Sequence, residues 1–399
     1  MPDTCAGLTS PNAETSSGLT NFLKPCASEY WCQGVARCSE LSEWLNKVIQ
    51  GDCLALLPQL PNACIDLMVT DPPYGLSIFK NGWDKAVPAI RVWNECLRVL
   101  KPGAIAFVMC SPRQDRLSEM IANLQGAGFY TKFTSLFWEY HTGFPKITDI
   151  SKIIDKKLGV KPEVIGTKKQ NGQKFRPNNG GFNDTTRTNY NITRPTSEQA
   201  KAMSGGFAGF HPRPAVEIIL AVMKPLSKKS FTDQALENGK GLTWLYDGSI
   251  PYQGHMRFPA NLLISNDILD RGEYPQVRIS SSQYYSLDQW FHTRLKTLPY
   301  NVERSFPFLI VPKPSTAEKS LGLEKWEKKV THPTVKPISL FSYLITLGSR
   351  PGDTVLDPYL GSGTAAIAAK MLGRNYVGIE IESAYCRIAK RRLRMTPEP

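Results

Sequence analysis

Asp71, Pro72, Pro73 and Tyr74 stand together in "DLMVTDPPYG", where an apolar run ends in an acid. Proline cannot continue a central strand, so the run must stop at that acid. The four residues offer a carboxylate, a backbone carbonyl held by proline and an aromatic face at one point. Such a set can accept both N–H bonds of a planar amine and stack on the ring that carries it. A second stretch, "LDPYLGSGTAA", ends an apolar run at Asp357. It then passes through Gly361, Ser362 and Gly363 and opens an Ala-rich helix near Thr364. Glycines let backbone approach a ligand closely, and a helix start offers free N–H donors.

This second stretch is not a nucleotide-phosphate loop. It reads G-S-G-T-A-A, without the third glycine of a dinucleotide fingerprint, and the chain has no G-x-x-x-x-G-K-[ST] segment. An acid at the strand end suits a cationic ligand better than a pyrophosphate. "NYVGIE" closes at Glu380, an acid placed about 20 residues on, where ribose hydroxyls are held. A nucleoside with a positively charged appendage, S-adenosylmethionine, fits this set. Asp52 in "KVIQGD" ends a fourth apolar run. If the four runs are parallel strands, Asp52, Asp71, Asp357 and Glu380 line one rim, where open α/β sheets bind ligands.

The elements that must position these acids alternate. From Lys47 the chain reads as a short apolar run "KVIQGD", a helix-like "CLALLPQLP", strand "CIDLMVTD", helix "AIRVWNECLRVLKPG" closed by Pro-Gly, strand "AIAFVMC", helix "RLSEMIANLQGAG" and the strand-rich aromatic stretch "YTKFTSLFWEY". Alternation resumes late, with helix "PISLFSYLITLGS", strand "DTVLD", helix "GSGTAAIAAKMLG", strand "NYVGIEI" and helix "ESAYCRIAKRRL". The pattern predicts an α/β fold with a doubly wound, mostly parallel sheet, Rossmann-like. Neither block supplies a comfortable sheet alone; together they do, split in sequence by an insertion. The expected divisions are a tail or accessory segment at 1–46, a catalytic half at 47–160, a basic insertion at 161–330 and a cofactor-binding half at 331–399.

Charge supports that division. The net charge is +13, and residues 151–330 hold 27 lysines and arginines against 16 acids, a difference of 11. A basic, aromatic, Asn- and Gly-rich middle suits a polyanion. Nine cysteines without a C-x-x-C pair argue against a disulfide framework. Cys26, Cys32 and Cys38 are evenly spaced, which points towards a metal, but zinc sites usually show tighter pairs, so no metal is expected. No run of about 18 apolar residues appears, and the first residues lack a basic-then-apolar leader. The expectation is a cytoplasmic protein without a membrane partner.

The motifs together resemble the DNA amino-methyltransferases, which methylate adenine N6 or cytosine N4 from S-adenosylmethionine. "DPPYG" comes first, then the target-recognition region, then "THPTVKP" and "DPYLGSGT". That order is similar to the β class, permuted relative to other classes. The resemblance covers roughly 47–158 and 331–393. It implies that Asp71, Pro72, Pro73 and Tyr74 are catalytic, with Tyr74 stacking on the extruded target base and Phe144 in "FWEYHTGFP" as its opposite wall. It implies that Asp357, Gly361, Ser362, Gly363 and Thr364 cradle the methionine part of the cofactor. Glu380 would hold the ribose and Asp52 lie near the adenine. His332, Thr334 and Lys336 would close over the methionine carboxylate, with Lys336 its direct partner. Tyr359 stands where relatives carry Phe and keeps the ring.

The implied substrate is double-stranded DNA, in a restriction-modification or phage-type setting and with adenine N6 favoured. A homodimer and a separate cognate nuclease stay open. Three other readings remain: a cytosine-N4 enzyme, an RNA or protein-glutamine methyltransferase of the N-P-P-Y type, and a DNA-binding subunit with a relic cofactor site. A cysteine route is set aside, because Cys110 in "VMCSP" lacks a Pro-Cys context.

Overall fold

The computed structural model describes residues 38–76, 84–139, 148–170, 175–176, 181–182, 188–210, 216–252, 255–264, 285–286 and 335–397. One nine-stranded sheet dominates. Its strands are β1 (Lys47–Gln50), β2 (Ile65–Thr70), β3 (Leu100–Cys110), β4 (Leu136–Glu139), β9 (Val216–Met223), β12 (Leu262–Ile264), β13 (Tyr285–Ser286), β14 (Thr354–Asp357) and β15 (Asn375–Glu380). They lie in the order β1-β15-β14-β2-β3-β9-β4-β12-β13. All neighbouring pairs are parallel except those of β9, which runs antiparallel to both β3 and β4.

The order explains how two sequence blocks make one sheet. β14 and β15, from the C-terminal block, insert between β1 and β2 of the first block. Leu356 registers with Met68 across one seam and Gln50 with Glu380 across the other. β2 and β14 are buried along their whole length. This is why they read as continuous apolar runs rather than alternating ones.

Helices cover both faces. They are α1 (Cys38–Ser42), α2 (Cys53–Leu56), α3 (Ile90–Val99), α4 (Gln114–Gly126), α5 (Ile150–Lys157), α6 (Glu198–Ala202), α7 (Phe231–Asn238), α8 (Ile338–Gly348), α9 (Thr364–Met371) and α10 (Ser383–Arg394). α3 buries Val92, Trp93, Cys96 and Val99, the spacing of a single apolar face. Each such side chain withdrawn from water contributes about 1.5–3 kcal/mol. α8 is buried on every side, and it ends so close to the sheet that a Cβ on Gly348 would stand 2.5 Å from a Leu67 methyl. Among the described residues, no helix is long and apolar enough to cross a membrane.

The middle of the chain differs from the expected separate insertion. β9, in "AVEIILAVM", lies in the heart of the sheet, paired with β3 from Ile105↔Met223 to Cys110↔Ile218. The surrounding basic, turn-rich sequence obscures this strand, and only long-range pairing identifies it. β12 and β13 extend the same sheet. Other parts do stand apart. β5 (Glu163–Gln170) and β8 (Thr188–Arg194) pair as a two-stranded hairpin of their own, as do β6 (Phe175–Arg176) with β7 (Gly181–Phe182), and β10 (Ile250–Tyr252) with β11 (His255–Arg257). The β5–β8 hairpin leaves Val164, Ile165 and Ile192 exposed. Asp155 ties its end to α5, accepting bonds from the Thr196 and Ser197 amides at 2.9 and 3.0 Å.

Candidate active site

Four adjacent parallel strands, β1, β15, β14 and β2, deliver Asp52, Glu380, Asp357 and Asp71 to one rim. The alternation of strand and helix thus carries the acids to a shared edge, as the strand-end pattern predicts. Thr70, the last residue of β2, donates its hydroxyl to Asp357 at 2.7 Å. That bond joins the two motifs across the seam between the sequence blocks.

Asp357 is 3% exposed. Besides Thr70 it accepts the Tyr359 amide at 3.0 Å. Burial pushes its carboxyl up to about 7, and these two donors offset only part of that cost. Glu380 accepts the Gly361 amide at 2.7 Å and the Glu382 amide at 2.8 Å. Burial raises its carboxyl as well. Among the described residues, neither acid is in an ion pair.

The turn between them is held from several sides. Gly361 and Gly363 adopt φ of 55° and 91°, the left-handed region that favours glycine. A Cβ on Gly363 would stand 2.9 Å from the Ala389 methyl of α10, so the turn also sits tightly on that helix. Arg392 of α10 is fully buried and donates one nitrogen to the Ser362 carbonyl at 2.7 Å and to its hydroxyl at 2.9 Å. Sequence reasoning missed Arg392, because "AKRRLR" reads as the solvated end of a helix. The Thr364 hydroxyl donates to the Lys336 carbonyl at 3.4 Å.

Asp52 caps α2, accepting the Leu54 amide at 2.9 Å. Tyr359 packs against the core beside it, and burial raises its phenol well above the ordinary value.

Asp71 lies at the meeting point of a compact network. Its Oδ1 accepts the Tyr74 hydroxyl at 2.6 Å, and its Oδ2 pairs with Lys336 Nζ at 2.5 Å. Glu217 Oε2, from β9, accepts from the same two donors, at 3.0 Å from Tyr74 and 3.2 Å from Lys336. Lys336 Nζ also sits 5.5 Å above the Tyr74 ring centroid. Burial opposes charge on Lys336, but Asp71 and Glu217 outweigh it and hold the ammonium above the usual lysine range. Burial and the same carboxylates raise the Tyr74 phenol well above its ordinary value, so it stays a donor.

The Lys336 side chain points to Asp71 and Glu217 rather than standing free for a ligand carboxylate; two buried carboxylates are the stronger local attraction. Trp138, which precedes Phe144 in "FWEYHTGFP", is 1% exposed and packs in the core. Glu217 escaped notice, although a lone acid in the apolar run "AVEIILAV" is the kind of signal that marks a site. Cys110 is buried with its thiol raised to about 12, which suits a packed thiol rather than a nucleophile. Phe144, His332 and Thr334 lie outside the described residues. Among the described residues, no cluster of three or more potential ligands could hold a metal ion.

The N6/N4 DNA methylase family profile matches residues 65–391. The Type II methyltransferase M2.DpnII of Streptococcus pneumoniae is 45% identical over 78 residues, 20% of this chain and 28% of that protein. M.HinfI of Haemophilus influenzae is 50% identical over 74 residues, 18% of this chain and 21% of that protein. The matched segments thus span about a quarter of the length of these curated relatives. Among solved structures, M1.HpyAVI in complex with SAM aligns at 17% identity over 87% of this chain and 98% of that one, with a TM-score of 0.40. The cytosine-N4-specific PvuII DNA methyltransferase aligns at 14% identity over 87% and 85%, with a TM-score of 0.43. The family profile runs from the strand that carries Asp71, through β9, to the helix that packs on Gly363; the chain belongs to the N6/N4 DNA methylase family.

Proposed function

We propose that this protein transfers a methyl group from S-adenosylmethionine to the exocyclic amine of a base extruded from duplex DNA, with adenine N6 preferred to cytosine N4. The observation that carries the reading is the Thr70–Asp357 bond of 2.7 Å. It holds the Asp-Pro-Pro-Tyr strand end directly beside the Gly361–Thr364 turn.

The rim suits the cofactor on its donor set. Asp357 and Glu380 are buried carboxylates without ion-pair partners among the described residues, and both are raised by that burial. A cationic ligand next to them offsets the cost of ionising them. Glu380 keeps acceptor capacity for ribose hydroxyls beyond its two amide bonds. The glycine turn admits backbone close to a ligand. When bound, S-adenosylmethionine supplies the electrophilic methyl group.

The remaining work belongs to the chain. An exocyclic amine is a poor nucleophile because its lone pair is delocalised into the ring. Asp71 accepts one of its N–H bonds, and the Pro72 carbonyl, fixed by the second proline, accepts the other. These bonds turn the nitrogen towards tetrahedral geometry and aim it for an in-line displacement. Asp71 also stabilises the positive charge that grows on nitrogen, and the proton leaves afterwards. Tyr74 provides the stacking face for the extruded base.

Adenine is favoured because the motif opens with Asp71, where Ser is common in the resembling N4 enzymes. The test is methyl incorporation from labelled cofactor into duplex DNA, RNA and protein side by side. Duplex DNA as the preferred acceptor is expected. Preferential labelling of RNA or of protein glutamine would contradict the reading.

A further inference from the structure

Among the described residues, every donor that touches the Asp71 carboxylate also touches Glu217. Tyr74 stands 2.6 Å from Asp71 and 3.0 Å from Glu217; Lys336 stands 2.5 Å from Asp71 and 3.2 Å from Glu217. All three partners are largely withdrawn from water, with side-chain exposures of 6% for Lys336, 16% for Asp71 and 15% for Glu217. Glu217 reaches this point from β9, which runs antiparallel to β3 and β4, so its placement is independent of the Asp71 turn.

This duplication addresses a physical problem. An incoming amine must share the Asp71 carboxylate with Tyr74 and Lys336, which hold one oxygen each. A buried ammonium released with no other acceptor carries a large desolvation penalty. Glu217 removes that penalty by lying within reach of both donors. Two carboxylates around one ammonium also leave the cluster with one surplus negative charge, which favours the amine's developing positive charge.

We infer that Glu217 is a positioning residue that takes over Lys336 and the Tyr74 hydroxyl when the target amine engages Asp71. The inference rests on the methyltransferase reading above and adds a residue to it. Among the described residues, removing the Glu217 charge leaves Asp71 as the sole anionic partner of Lys336. Engagement of the amine then has to break an ion pair with no replacement.

The experiment compares wild type, Glu217→Gln and Glu217→Asp in single-turnover methylation of duplex DNA. It also measures the Kd for S-adenosylmethionine and the acetylation rate of Lys336 by competitive labelling with peptide mass spectrometry. For Glu217→Gln we expect a rate about tenfold to a hundredfold lower, cofactor affinity within about twofold, and faster acetylation of Lys336. Glu217→Asp should recover part of the rate. Retained cofactor affinity separates this result from a failure to fold. If Glu217→Gln itself does not fold, Glu217→Asp carries the same test with smaller changes in the same direction. A rate and a labelling pattern unchanged in Glu217→Gln overturn the inference while leaving the methyltransferase reading in place. A wild-type protein that methylates no DNA, with the labelling change still present, removes that reading and leaves the hold of Glu217 on Lys336 supported.

Discussion

Strand β2 carries Asp66 near its start and delivers Asp71 past its end; β14 is preceded by Asp353 and ends at Asp357. The same two strands therefore present acids to both rims of the sheet. At the amino rim the acids are matched by cations. Lys240 Nζ lies 2.8 Å from Asp66 and 2.9 Å from Asp353, Lys101 Nζ lies 2.6 Å from Asp66, and the Thr354 amide donates to Asp66 at 3.0 Å. Burial opposes ionisation of Asp66, yet the two lysines hold its carboxyl below the usual range. At the carboxyl rim, Asp357 has a hydroxyl and an amide instead of a cation, and burial pushes it up to about 7. One rim is a closed structural cluster. The other keeps anionic capacity in reserve, the state expected of a site awaiting a cation and an amine.

The sharpest way to break this contrast is Asp71→Ala. It should lower methyl transfer at least about a thousandfold while cofactor binding survives, read by labelled-methyl incorporation and calorimetry. Undiminished transfer would remove Asp71 from the chemistry. The opposite rim should answer in stability alone. Lys240→Met leaves Asp66 and Asp353 short of a buried partner and should cost about 2–4 kcal/mol in urea unfolding. The folded variant should keep its cofactor affinity.

Subtler is the pH response. With a carboxyl near 7, Asp357 is mostly neutral at pH 6 and mostly ionised at pH 8. A cationic ligand prefers the ionised form, so S-adenosylmethionine affinity should rise about tenfold over that interval. Asp357→Asn should flatten the rise. Because the folded carboxyl is raised above its unfolded value, the ligand-free protein loses this group's stabilisation as pH climbs from about 4 through about 7. The smallest change is Tyr359→Phe. It removes only the hydroxyl of a side chain packed against the core and should cost under about 1 kcal/mol, with cofactor affinity within about threefold.

The contrast between the rims was only half visible in the sequence. The carboxyl rim was legible because an acid that closes an apolar run, with glycines or prolines after it, can end only at a sheet edge. The pairing of two distant blocks followed from each being too short alone. Asp66 looked like part of an apolar strand, and nothing local links it to Lys240, more than 170 positions away. β9 and Glu217 were hidden for the same reason. Their position depends on ladder pairing with β3, which composition does not encode, and they sit inside a stretch whose Asn, Gly, Lys and Arg content signals loop. Arg392 is not legible in the sequence, because burial of one arginine in a basic helix depends on the carbonyl it meets, here Ser362.

The most direct measurement is single-molecule sequencing of DNA from cells that express either the wild-type chain or Asp71→Ala. The account predicts N6-methyladenine at one short recurring motif in the first culture and none at that motif in the second. Marks that persist with Asp71→Ala, or no modified amine on any base with the wild type, would contradict it.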